Sequence, residues 1–140
     1  MKKVEIYTDG ACQPSLGVGG WAAILCYDGM EKELFGGGRG TNSDRMELQA
    51  AIKGLEALEE PCEVLLVTDS KYLKDGLAEL IVGQKTIADM PLIHKSLWVM
   101  LSDLLLIHKV TVQWVPAHSG HPYNERSDAL AVKARLKWEG

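Results

Sequence analysis

Aromatic residues make up only 6% of the chain, with a single Phe, and positive charge is in deficit: Lys and Arg number 15 against 19 Asp and Glu, for a net charge of −4. A protein that holds nucleic acid by a general excess of cations is thereby excluded, because neutralising phosphates needs Lys and Arg in surplus. Cysteine is also sparse. The three present, Cys12, Cys26 and Cys62, are odd in number and show no CxxC or other ligand spacing. They fit reduced thiols rather than a disulfide framework, and Cys26 and Cys62 read as packing residues. No apolar stretch is long enough to span a membrane. The start "MKKVEIYTDG" has neither the apolar core nor the small-residue cleavage site of a signal peptide, so the cytoplasm is the expected compartment. Met1 and the short tail after Trp138 are those expected of a complete gene product.

What is present describes a globular protein. With 140 residues, 46% hydrophobic and 24% charged, the chain suits one domain over 1–140 with a core of its own. Residues 3–9 alternate as a strand, and the Gly-rich "DGACQPSLGVGG" reads as a turn or loop. A hairpin follows, with strands near 20–27 and 30–36 about an Asp28-Gly29 turn. From Ser43 or Asp44 as N-cap, Leu48, Ala51, Ile52, Leu55 and Leu58 recur at helical spacing, a helix that Pro61 ends. "CEVLLVTD" is a nearly all-apolar strand of the kind buried on both faces. A shorter helix capped by Ser70, an indistinct segment at 81–93, a helix with Leu97, Trp98, Leu101, Leu104 and Leu105 on one side, a strand "VTVQWVPAH" and a last helix from 124 to 138 complete the chain. Trp98 and Trp114 fall within apolar patterns and read as core. Lys133, Arg135 and Lys137 read as a solvated face. The order predicts an α/β fold: a mixed five-stranded sheet, made of a three-strand antiparallel meander plus two parallel strands, with helices on both faces.

Four acidic residues stand where such a fold brings segments together. Asp9 in "IYTDG" and Asp69 in "LLVTDS" each end a β-branched apolar run, while Glu47 in "RMELQAA" and Asp128 in "NERSDALA" each open a helix. Ligands of open α/β sheets collect at the carboxyl ends of strands. Carboxylates packed there repel one another unless divalent cations lie between them. Four acids suit two ions of the Mg²⁺ type, one for the attacking water and one for the leaving oxygen of a phosphodiester. Asp9, on a central strand, is placed to bridge both, with Glu47 and Asp69 on one ion and Asp128 on the other. The bound charge offsets the acidic rim and admits a phosphate. His118, in the loop "WVPAHSGHP", has the chemistry to shuttle a proton near neutral pH. His121 precedes a proline and reads as a turn residue.

"YTDG" with its Gly-rich turn, "DRMELQAAI", "VTDSKY" and "WVPAHSGHPYNERSDALA" resemble, in order and over essentially the whole chain, the motifs of the ribonuclease HI family. The resemblance implies the ribonuclease H-like fold, a metal set at Asp9, Glu47, Asp69 and Asp128, and the loop histidine at His118. It implies Mg²⁺- or Mn²⁺-dependent endonucleolytic cleavage of RNA paired to DNA, leaving 5′-phosphate and 3′-hydroxyl ends. It further implies contacts to the RNA–DNA hybrid at Gly10, Ala11, Cys12, Ser15, Ser43, Asp44 and Lys71, and no obligate protein partner, the chain being a monomer.

Three features depart from that family. Ser43-Asp44 replaces an Asn-Asn pair, so an ionised acceptor stands where an amide both donates and accepts. Ser15-Leu16 stands where Asn-Pro is common. In residues 70–97, Lys71, Lys74, Lys85 and Lys95 are nearly balanced by Asp75, Glu79 and Asp89, where many bacterial relatives carry a basic, Trp-rich handle for the hybrid. Two other readings compete. A haloacid dehalogenase-type phosphatase needs a second Asp two residues after the first, and position 11 is Ala. A module that binds hybrids without cutting them is expected to have lost a metal ligand, and all four are present.

Overall fold

The computed structural model describes residues 1–139. The β-branched and aromatic alternation of the first 39 residues forms three strands, β1 (Lys2–Gln13), β2 (Val18–Tyr27) and β3 (Met30–Arg39). Helix α1 (Ser43–Glu56) leads to β4 (Cys62–Thr68), then α2 (Lys71–Ile81), a 3₁₀ turn (Ile87–Asp89), α3 (Lys95–Ile107), β5 (Lys109–Trp114) and α4 (Pro122–Glu139). The sheet order is β3-β2-β1-β4-β5. β1 pairs antiparallel with β2, and β2 with β3, while β4 runs parallel to both β1 and β5. The predicted mixed sheet is the one observed.

The two sheet faces are covered differently. Val4, Ile6, Ala23, Val64 and Leu66 point to one side, where Leu48, Ile52 and Leu55 of α1, Leu73 and Leu77 of α2, and Trp98 and Leu101 of α3 close the larger core. Trp98 is buried as expected; its indole N–H donates to Tyr72 Oη at 3.0 Å, and Gly76 leaves room for its ring. Tyr7, Ile24, Val67 and Val115 point to the other side, where Tyr123 of α4 packs against them.

Several boundaries differ from the sequence reading. Residues 10–20 are mostly strand, not loop: β1 and β2 stay paired from Glu5↔Cys26 through Gln13↔Val18, leaving only 14–17 as the turn. The glycines that suggest a loop serve close packing. A Cβ on Gly10 would lie 2.7 Å from the Glu47 backbone N, and one on Gly20 would lie 2.3 Å from the Ala131 carbonyl O. Side chains there would push α1 and α4 off the sheet. The N-cap of α1 is Asn42, not Ser43 or Asp44, with its side-chain oxygen accepting from the Arg45 N–H at 2.9 Å. That helix ends at Glu56, short of Pro61. The Ser70 cap of α2 is found, accepting from the Leu73 N–H at 3.1 Å. Lys133 and Lys137 are exposed as expected, the latter over the Phe35 ring, whereas Arg135 is half-buried and pairs with Glu139 at 2.7 Å.

Candidate active site

The parallel ladder between β1 and β4 ends at Thr8↔Thr68, so the next residues, Asp9 and Asp69, leave that rung side by side. β1 continues beyond Asp9, held by β2 through Asp9↔Ala22, whereas β4 stops and the chain turns into α2. Asp9 therefore sits inside a strand rather than at its end, which corrects the sequence reading while keeping the residue beside Asp69. Glu47 comes from the other direction. It is the fifth residue of α1, brought down on the sheet because Gly10 presents no side chain beneath it.

These three carboxylates offer ligand atoms that all lie within 4.8 Å of one another. Asp9 is 2% exposed and Glu47 8%, with Asp69 half-buried. Asp9 Oδ1 accepts from the Gly10 N–H at 2.9 Å, but Asp9 Oδ2 and Glu47 Oε1 are buried with no hydrogen-bond partner. Buried polar atoms are almost always satisfied, so two orphaned oxygens facing a third acid ask for a cation. Burial first, then the charges of Glu47 and Asp69, and further Asp128, push the Asp9 carboxyl up to about 10. Burial, and next the charge of Asp69, hold Glu47 well above the ordinary carboxylate range. All-oxygen donors at this spacing suit hard divalent cations such as Mg²⁺ or Mn²⁺.

Asp128, in the second turn of α4, is half-buried and stands beside Asp9, acting on its charge, but its carboxylate lies outside the tight group of three. His118 is not brought into that group. It sits in the exposed connection between β5 and α4 with φ of 54°, and among the described residues it makes no hydrogen bond or ion pair. His121 has the turn role expected of it: its Nδ1 accepts from the Asn124 N–H at 3.3 Å, capping α4.

The predicted substrate contacts fall on the rim. Gly10, Ala11 and Cys12 lie on β1 past Asp9, and Ser15 is exposed in the 14–17 turn. Ser43 and Asp44 are exposed at the N-terminus of α1, where free N–H groups favour anions. Lys71 opens α2 directly after the Ser70 cap. Of the other cations in that region, Lys74 pairs with Asp75 and Lys85 with Glu79, each at 3.1 Å.

Sequence reasoning missed two residues here. Asn42 fixes the start of the helix that carries Glu47, and an Asn preceding the "SDRMEL" run was a readable cap signal. Trp114, expected in the core, is 36% exposed at the edge of the site, with its indole N–H donating to the Asp69 carbonyl at 3.1 Å. Trp114 is the last residue of β5, a strand end that hydrophobic pattern does not mark.

Comparison with known proteins bears on the family and the fold. Residues 1–135 match the family model described as RNase H. A curated protein named Ribonuclease H from Chelativorans sp. (strain BNC1) is 54% identical over 136 residues, covering 94% of this chain and 84% of that one. Among solved structures, LC9-RNase H1, described as a type 1 RNase H with the type 2 active-site motif, has a TM-score of 0.82 at 24% identity, over 97% of this chain and 73% of that one. LC11-RNase H1, solved in complex with an RNA/DNA hybrid, has a TM-score of 0.76 at 19% identity, over 96% and 97% of the two chains. At those identities the two structures speak to the fold alone.

Proposed function

The chain belongs to the RNase H family, and from that premise we propose that it hydrolyses the RNA strand of RNA–DNA hybrids endonucleolytically, with the chemistry at Asp9, Glu47, Asp69 and Asp128. The observation that carries this reading is the buried acid cluster, in which three carboxylates converge within 4.8 Å and two of their oxygens lack partners. A protein that bound hybrids without cutting them would have no use for so costly a group.

Asp9, Glu47 and Asp69, with Asp128 beside Asp9, would hold divalent ions of the Mg²⁺ or Mn²⁺ type. When bound, such ions lower the pKa of the attacking water and stabilise the leaving oxygen of an in-line displacement. The chain's own groups do the rest. Water attacks phosphorus, the P–O3′ bond breaks, and the products carry 5′-phosphate and 3′-hydroxyl ends. His118, free on its loop, exchanges a proton with water as product leaves. The β1 backbone at Gly10, Ala11 and Cys12, with Ser15, Ser43, Asp44 and Lys71, lies along the path of the hybrid. Discrimination for RNA on the cut strand rests on the 2′-hydroxyl, which acts as donor and acceptor where DNA offers neither.

The test compares labelled RNA–DNA hybrid, RNA duplex and DNA duplex, each with Mg²⁺, Mn²⁺ or chelator, for the unaltered protein and Asp9→Asn. Cleavage confined to the RNA strand of the hybrid, lost in chelator and in the variant, is expected. Undiminished cleavage by Asp9→Asn would overturn the assignment of the acid cluster.

A further inference from the structure

Asp69 is the one member of the acid cluster whose backbone lies outside both the sheet and a helix. Thr68 before it is the last residue of β4, its carbonyl accepting from the N–H of Val115, the residue just past β5, at 2.9 Å. Ser70 after it is the N-cap of α2, and its own N–H is held by Thr68 Oγ1 at 3.0 Å. Between these two fixed points the Asp69 carbonyl is tied by a side chain, the indole N–H of Trp114 at 3.1 Å. Trp114 closes β5 opposite Thr68 in the last rung of the parallel ladder, so the ring is anchored at its root by the sheet. On the ring lies the Lys71 ammonium, 5.1 Å from the centroid, in the range of a cation–π contact. Lys71 is exposed, two residues beyond Asp69.

From this juxtaposition we infer that Trp114 is a positioning residue for the hydrolytic reaction, acting through two neighbours. Its N–H sets the backbone orientation from which Asp69 presents its carboxylate to the cation, and its ring face holds the Lys71 ammonium at the mouth of the site for a phosphate of the substrate backbone. The inference rests on the reading of the acid cluster as the metal-dependent centre. Lys74 and Lys85, by contrast, each lie 3.1 Å from a carboxylate at the surface. A lysine on a flexible four-carbon stem loses much rotamer freedom when it binds a phosphate. One already resting on an indole face loses less.

The two halves separate by substitution. Trp114→Phe keeps a ring under Lys71 and removes the N–H; Trp114→Leu removes both. Mn²⁺ binding to the free protein is measured by titration calorimetry, with Asp9→Asn as the reference for the cluster itself. Trp114→Phe is expected to weaken Mn²⁺ binding about 3- to 10-fold with the KM for hybrid nearly unchanged at saturating metal. Trp114→Leu is expected to raise KM as well, and to add nothing to the KM of Lys71→Met when the two are combined. If Trp114→Phe binds Mn²⁺ like the unaltered protein, or if Trp114→Leu raises KM equally with Lys71 present or absent, the inference is overturned while the acid-cluster reading stands. If the unaltered protein shows no Mn²⁺ binding that Asp9→Asn abolishes, the cluster reading itself falls. Should Trp114→Leu fail to fold, ¹⁵N spectra of the unaltered protein decide: the Trp114 indole resonance is expected to shift along the same Mg²⁺ saturation curve as the Asp69 and Ser70 amides. An indole signal that stays fixed through saturation overturns the inference.

Discussion

Replacing Asp9 by Asn is expected to stabilise the metal-free protein while abolishing its activity. Asp9 is 2% exposed, and burial together with Glu47, Asp69 and Asp128 raises its carboxyl to about 10, so at pH 7 the metal-free fold holds this group protonated or tolerates a crowded charge. The sign follows from linkage: a carboxyl raised on folding binds its proton more tightly in the native state, so its destabilising effect is absent below the ordinary value of 3.8 and grows as pH rises. Between that value and pH 7 lie about three pH units at about 1.4 kcal/mol each, a ceiling of about 4 kcal/mol. Relaxation and water penetration reduce it, leaving an expected gain of about 2–4 kcal/mol. Asn forfeits little in exchange, since its carbonyl keeps the Gly10 N–H bond and its amide supplies donors to the neighbouring carboxylates. For a chain of this size that is a rise in Tm of about 8–15 °C. Thermal melts in chelator at pH 7 and at pH 4 measure it, with the gain largely gone at pH 4. A variant no more stable than the unaltered protein at pH 7, or a gain that persists undiminished at pH 4, would refute the electrostatic account. Saturating Mg²⁺ should close most of the gap by stabilising the unaltered protein alone.

Other outcomes follow from the packing and the charges. Gly20→Ala places a methyl 2.3 Å from the Ala131 carbonyl and 2.4 Å from the Arg135 N, so α4 must shift; a loss of about 1–3 kcal/mol in urea unfolding is expected, with reduced turnover because α4 carries Asp128. His108 is buried with Nδ1 accepting from the Cys62 N–H at 3.1 Å, and burial lowers its pKa. Its stabilising effect is therefore full above pH 6.5 and is lost as pH falls below it, so the stability difference between the unaltered protein and His108→Gln should shrink steadily from pH 7.5 to pH 5. In residues 70–97 Lys74 and Lys85 pair with acids, so this segment offers less positive charge than a basic handle, and the KM for hybrid should depend on salt less steeply than in a relative that carries one; an equal slope would overturn this.

Much of the architecture is legible in the chain because it rests on local pattern. The period-2 alternation of the opening strands, the Asp28-Gly29 turn and the 3.6-period face from Leu48 to Leu55 each depend on neighbours a few residues away. Two mistaken boundaries have a common cause. Gly10, Gly19 and Gly20 look like loop residues by composition, yet they sit in strands because two helices, one on each sheet face, need the space a Cβ would fill. No local rule registers a helix arriving from 30 or 110 residues away.

The same division holds at the site. The residue types of Asp9, Glu47, Asp69 and Asp128, their order and the strand or helix near which each falls are legible in the chain alone, since an acid beside a strand or a helix start is set by short-range sequence. That three of them close to within 4.8 Å, with two oxygens unpartnered, while Asp128 stands just outside and His118 remains on an exposed loop, was decided only by the packing of α1 and α4 against the sheet. So was the place of Trp114, which hydrophobic pattern assigns to the core and the ladder's last rung delivers to the rim. Distance and desolvation are properties of elements packed together, and they, more than the residues' identities, set the charge state on which the chemistry depends.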